Sequence, residues 1–116
     1  MKISEIREIL CASVLVDDPL DRTILAAGGG ELVDDIMKAV IREALLLTGH
    51  SGEEIMRTAI TGKVGAVVYV RGKQPDDDVL ELARSYNIPV LTTKYSMFVA
   101  SGRLYLNGLR EIEGTW

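Results

Sequence analysis

Cysteine and histidine each occur once in this chain of 116 residues, and aromatic residues make up only 5% of it. A single cysteine, Cys11, excludes a disulfide within the chain and leaves no basis for a cysteine-rich metal site. Its expected place is the interior, as a small hydrophobe. With so few rings the core has to be aliphatic, and the 47% of hydrophobic residues is enough to build one without staples. Clustered Lys and Arg are also missing, and the net charge is −4. A binder of phosphate backbones needs such clusters, so nucleic acid is not an expected partner. No apolar run approaches the ~20 residues of a membrane span. The opening MKISEIREIL sets Glu5 and Glu8 within its apolar pattern, which does not fit a signal peptide. A cytoplasmic protein with no membrane partner is expected.

The remaining residues are organised by strand and helix periodicity. Ile3, Ile6 and Leu10 share one helical face, with Ser4 as the expected N-cap. CASVLV then reads as a strand, DDPLDRT as a polar turn, and ILAAGG as a short strand running into glycines. Val33, Ile36, Met37, Val40 and Ile41 recur at helical spacing, which predicts a helix over about 32–42. One plan then repeats three times. ALLLTG, VGAVVYVRG and IPVLTT are strands, followed by the helices GEEIMRTAITG, PDDDVLELARSY and YSMFVASGRLYL. The buried parts, 45–48, 64–70 and 90–91, are unbroken apolar runs, the pattern of parallel strands covered on both faces. The expected fold is α/β: a three-layer, mostly parallel sheet with helices on both faces, built from consecutive strand–helix units. Residues 1–116 are expected to form a single domain.

AAGGGELVDDIMKA raises the question of a phosphate loop. Gly28, Gly29 and Gly30 lack the Lys and Ser/Thr that close a P-loop, and Glu31 and Val33 break the G-x-G-x-x-G spacing. Glu31, Asp34 and Asp35 would themselves occupy the following helix N-terminus and repel a phosphate. The glycines are therefore expected to form a backbone turn, with at least one residue at positive φ.

Ligands of open parallel sheets bind beyond the carboxyl ends of the strands. Those ends carry Thr48, Gly49 and His50, then Arg71 and Gly72, then Thr92 and Thr93. Together with Gly29 and Gly30, the residues Thr48, Gly49, His50, Arg71, Thr92 and Thr93 are the candidate ligand-binding set. Arg71 is the strongest anion-binding group among them. The threonines serve equally well as strand-end turn residues and helix caps. His50 lacks a separate nucleophile and orienting carboxylate, and Ser51 with Glu54 fits a capping box, so His50 reads as an exposed loop residue. Asp76, Asp77 and Asp78 follow Pro75 where a helix dipole favours acids, so they do not call for a metal. No catalytic residue, metal or cofactor is assigned. In the last helix, Met97, Phe98, Tyr105 and Leu109 offer apolar cover to a neighbouring subunit, and Ala100 and Gly102 allow close approach. A two-fold homodimer is expected there or at the adjoining sheet edge.

GGGELVDD, LLLTG, RTA at 57–59, VRGKQP, IPVLTTK and SMF..SGRLY together resemble the DRTGG domain family, over about 14–109. The order and spacing of these stretches carry the resemblance. Gly29, Gly30 and Asp34 are similar to the family's Gly-Gly before an acidic helix start. The eponymous signature is not intact, since Asp21-Arg22-Thr23 is followed by Ile24. Such domains accompany CBS domains in regulated pyrophosphatases and sit within long phosphotransacetylases. They are similar to the N-terminal, non-catalytic domain of HPr kinase/phosphorylase, and stand-alone copies are encoded near iron-only hydrogenase components. The resemblance implies an α/β domain, often dimeric, with a regulatory or assembly role and no established chemistry. Adenine-nucleotide binding belongs chiefly to the CBS partners. Two readings result: a non-catalytic regulatory or protein-interaction module acting as a homodimer, and a small-ligand sensor for an adenine nucleotide or other anion at the strand edge.

Overall fold

The computed structural model describes residues 1–29 and 43–111. The helix expected over 32–42 and the glycine at position 30 lie outside the described residues. The elements run in the order α1 (Ile3–Ile9), β1 (Ser13–Val16), β2 (Ala26–Gly29), β3 (Ala44–Thr48), α2 (Glu53–Thr61), β4 (Ala66–Tyr69), α3 (Asp77–Ser85), β5 (Val90–Thr92) and α4 (Met97–Leu106). They form one sheet of order β1-β5-β4-β3-β2. β2, β3, β4 and β5 pair in parallel, and β1 closes the β5 edge antiparallel.

The apolar runs of the sequence resolve into two faces because successive strand side chains alternate. Leu45, Leu47, Ala66, Val68, Val70 and Leu91 turn to one side, where they pack with Ile3 and Ile6 of α1 and Ala100 and Leu104 of α4. Leu46, Val67, Tyr69 and Val90 turn to the other, against Ile55, Met56 and Ala59 of α2 and Val79, Leu80 and Ala83 of α3. The three layers expected from the sequence are present.

All four described helices end in the same way. At each C-terminus a left-handed residue follows the cap: Cys11 (φ 48), Lys63 (φ 57), Asn87 (φ 56) and Gly108 (φ 103). The N–H of the next residue reaches back to the last turn: Ala12 to Arg7 O, Val64 to Ala59 O, Ile88 to Ala83 O and Leu109 to Leu104 O. This is the Schellman motif, and its hydrophobic contact is complete, since Ala12, Val64, Ile88 and Leu109 are all buried. The motif corrects the expectation for Cys11. The left-handed turn at the end of α1 leaves Cys11 exposed and buries Ala12 in its place.

The polar DDPLDRT segment is a clamp at the N-terminal edge of the sheet. The buried Asp18 carboxylate accepts from the backbone N–H groups of Leu20 (3.3 Å) and Arg22 (2.9 Å) and from Arg22 Nε (2.8 Å). Arg22 Nη1 donates to Gly65 O at 3.2 Å and Nη2 to Asn87 O at 2.8 Å, which ties the segment to the starts of β4 and β5. Gly65 is required there. A Cβ at that position would lie 2.6 Å from Ile24 Cδ1 and 3.0 Å from the Glu43 backbone. Asp21 reaches the first turn of α1, accepting from Ser4 N at 2.9 Å and Ser4 Oγ at 2.7 Å. Ser4 is therefore inside α1, with Lys2 at the N-cap position. The Lys2–Thr23 bridge holds the chain extended up to that point.

Gly28 and Gly29 depart from the expected turn. Both are strand residues of β2, paired with Leu46 and Leu47, and neither has a positive φ. The parallel ladder with β3 runs through both glycines to the end of β2. Gly29 also allows a close approach, because a Cβ there would lie 3.1 Å from Met97 Sδ.

Three measurements test this account. Asp18→Ala leaves three donors without their acceptor and is expected to cost about 2–4 kcal/mol in denaturant unfolding. Burial opposes the Asp18 charge, but hydrogen bonds and charge from Arg22 outweigh it and hold the pKa below the ordinary 3.8. A depressed carboxylate pKa adds stability above the unfolded value, and that stability is lost as pH falls through the folded one. Wild type should lose stability below about pH 3.8, with a shallower loss in Asp18→Asn. Lys63→Gly relieves a left-handed side chain and should raise stability by about 1 kcal/mol in the same assay. A decrease would contradict the Schellman reading.

Candidate functional site

The parallel register brings the strand ends together at one edge. Thr48 lies opposite Tyr69, and Tyr69 opposite Thr92, so the last residues of β3, β4 and β5 form a row. Tyr69 is fully buried, its hydroxyl has no partner among the described residues, and burial pushes its pKa up to about 12.

The candidate residues separate into three places along this edge. Thr48 is fully buried, and its hydroxyl accepts from His50 N at 3.1 Å. His50 is exposed, as expected, and its Nδ1 accepts from Gly52 N at 3.1 Å. That bond closes the half-buried Gly49–Gly52 loop and makes Gly52 the N-cap of α2. The expected capping box of Ser51 and Glu54 does not form, because the imidazole draws in the loop and shifts the helix start one residue on.

Arg71, Thr92 and Thr93 meet in a second place. Val70–Lys73 is a β-turn closed by Lys73 N to Val70 O at 3.2 Å, with both central residues left-handed: Arg71 (φ 59) and Gly72 (φ 69). Arg71 N donates to Tyr95 O and Gly72 N to Thr93 O, each at 2.8 Å. The Thr92 hydroxyl donates to Lys73 O and the Thr93 hydroxyl to Leu10 O, each at 2.7 Å. These two threonines therefore fasten the 70–73 turn and the end of α1 to the tip of β5.

The loops fastened in this way border an open pocket of about 470 Å³ lined by Leu10, Cys11, Ser13, Gly72, Gln74, Thr92, Thr93, Lys94 and Tyr95. The volume is in the range of small-molecule sites. Tyr95 forms one wall, its hydroxyl 3.5 Å from Cys11 Sγ and its ring 4.9 Å from the Arg103 guanidinium carbon. The Cys11 contact raises the Tyr95 pKa, partial burial adds to this, and the Arg103 charge opposes it. The pocket supplies one ammonium, one amide, hydroxyls and an aromatic wall, a set suited to a planar or phosphorylated small molecule.

Gly29 lies at the third place, beyond β3 on the edge strand. With Gly28 it borders a smaller pocket of about 240 Å³ that also takes in Ser101, Tyr105 and Arg110. Arg110 stacks on Tyr105 at 4.1 Å and donates to Tyr105 O at 3.0 Å. Sequence reasoning missed Cys11, Ser13, Gln74, Lys94 and Tyr95. Lys94 and Tyr95 directly follow the Thr92–Thr93 pair and were legible from that adjacency. Cys11 and Ser13 come to the edge only through the antiparallel β1–β5 pairing.

Among the described residues no group of three His, Cys, Asp or Glu side chains is placed to hold a metal, and no helix is long and apolar enough to cross a membrane. Asp76, Asp77 and Asp78 begin α3, where they face its dipole.

The sequence model of the DRTGG domain matches residues 5–106. No protein with a curated description matches the chain. Among solved structures, the fold is similar to the CBS and DRTGG domains of the regulatory region of a Clostridium perfringens pyrophosphatase, complexed with its activator diadenosine tetraphosphate. The TM-score is 0.77 at 22% identity, over 88% of this chain and 45% of that one, so this chain spans less than half the length of that region. With the domain match running from α1 to the end of α4 and the fold in agreement, the chain belongs to the DRTGG domain family.

Proposed function

We propose that residues 1–116 act as one regulatory, non-catalytic module that works as a homodimer in the cytoplasm. The observation that carries this reading is the family match together with the use made of the polar groups at the sheet edge. The hydroxyls of Thr92 and Thr93 donate to loop carbonyls and Nδ1 of His50 accepts from a loop N–H, so these groups serve the loops, and neither hydroxyl is set out as a nucleophile. The regulatory part of a pyrophosphatase that shares the fold supports the same role. An exposed apolar stretch on α4 supports self-association. Sedimentation or light scattering at micromolar concentration tests the dimer. A species of twice the chain mass is expected, and a monomer at high concentration would overturn that part.

The second reading is a small-ligand sensor, and the specific observation behind it is the pocket of about 470 Å³. The related pyrophosphatase region is complexed with a dinucleoside polyphosphate. An adenine nucleotide or another anion would use Lys94 and Gln74 for its charged part and Tyr95 for its ring. Arg71 stands on the adjoining turn as a further cation. Thr48, Gly49 and His50 belong to the α2 side of the edge, and Gly29 to the smaller pocket.

A thermal-shift panel of adenine nucleotides and simple anions separates the two readings. A ligand bound to the native state at 100 times its Kd adds about 2.7 kcal/mol. The sensor reading expects a rise in melting temperature of several degrees for at least one compound, reduced in Lys94→Ala and Arg71→Ala. Equal shifts in both variants would remove these residues from the site. No shift at millimolar concentration would leave only the interaction module.

A further inference from the structure

Helix α4 has an outer surface on which, among the described residues, little is packed. Ala100 and Leu104 face the sheet and are buried. Leu109, expected as a contact for a neighbour, is also buried, and Met97 packs partly against the same core. On the outer side Phe98 is 86% exposed, Val99 40%, Tyr105 49% and Leu106 85%. The one charged residue of α4, Arg103, turns away, donating from Nε to Ile9 O at 2.8 Å and stacking over Tyr95. The outer face is therefore apolar over Phe98, Val99 and Leu106, with the Arg110 guanidinium stacked on the Tyr105 ring at one end of it.

The apolar residues on this face are arranged symmetrically. Phe98 and Val99 lie four and three residues before Gly102, and Tyr105 and Leu106 lie three and four after it. When two antiparallel helices are related by a two-fold axis, a residue before the axis meets one the same distance after it. An axis at Gly102 sets Phe98 against the partner's Leu106 and Val99 against the partner's Tyr105. An isologous contact needs this kind of self-matching surface.

Among the described residues nothing packs against Gly102. It sits in the middle of the helix, where glycine costs stability relative to alanine. A Cβ there would meet no other atom within 4 Å, so internal packing does not require glycine. A close crossing of two helix backbones does. The four large side chains and the crossing would bury on the order of 1,000 Å² in total, near the lower bound for a specific interface.

We infer that α4 is the dimer contact, packed antiparallel against α4 of a second copy with the two-fold axis at Gly102. The inference rests on the homodimeric reading above and assigns its interface. Helix axes about 9–10 Å apart place facing Cα atoms roughly 4.4–5.4 Å apart, within disulfide reach.

The test uses the full chain with Cys11→Ser as background. Gly102→Cys should cross-link to a covalent dimer under mild oxidation. Mixing Phe98→Cys protein with Leu106→Cys protein should yield the mixed disulfide in preference to either homodimer. Gly102→Arg and Leu106→Glu, both at exposed positions, should weaken the dimer at least 100-fold while the far-ultraviolet dichroism stays native. If the parent dimerises but Gly102→Cys fails to cross-link and both disruptive variants remain dimeric, the α4 contact is overturned and the homodimer stands. If the parent is monomeric, both fall.

Discussion

Two strand–helix–strand connections, β3–α2–β4 and β4–α3–β5, cross the sheet in the same direction. Such connections are right-handed, so helices that advance the same way land on the same face. Both α2 and α3 are therefore on one side, and the parallel strands need cover on the other as well. That cover comes from α1 and α4. This constraint sets the rest of the molecule. It brings the end of α1 to the tip of β5, where the larger pocket forms. It also spends only one side of α4 on the core and leaves the opposite side apolar and exposed.

The edges of the sheet are secured by different means. At the N-terminal edge the ion pair of buried Asp18 and half-buried Arg22 ties the loops together. Asp18 and Arg22 close their own loop, and the guanidinium then reaches carbonyls from two further connections. At the C-terminal edge the work is done by neutral hydroxyls and by a turn with two left-handed residues. A sheet edge stitched by uncharged groups can border a pocket without filling it with fixed charge.

The helix ends link local sequence to packing. Each Schellman motif places one residue in the left-handed region and commits the next to the core. Gly108 fits that conformation without strain, and Asn87 is tolerated there. Cys11 and Lys63 are held there by the burial of Ala12 and Val64. The exposed thiol of Cys11, and with it one wall of the pocket, is a by-product of how α1 ends.

Much of the fold was legible before any coordinates. The unbroken apolar runs at 45–48, 64–70 and 90–91 required a parallel sheet covered on both faces, because strands of that pattern have no side fit for water. The three segments read as helices after those strands are the ones that carry Ile55, Val79 and Leu104 into its two covering layers. Local signals misled where tertiary contacts competed with them. Ser51 offered a cap, but His50 took the Gly52 N–H, and Gly28 and Gly29 looked like a turn until the ladder to β3 drew them into the sheet. The candidate site was half visible. Thr92 and Thr93 stand at a strand end in plain sequence order, whereas Cys11 and Ser13 lie some eighty residues away and join them only through the antiparallel pairing of β1 with β5. Periodicity records which side of an element is apolar, and that alone determined the layers. Which distant elements share an edge depends on chain crossings and long-range hydrogen bonds, so the pocket and the free face of α4 were decided by the tertiary structure.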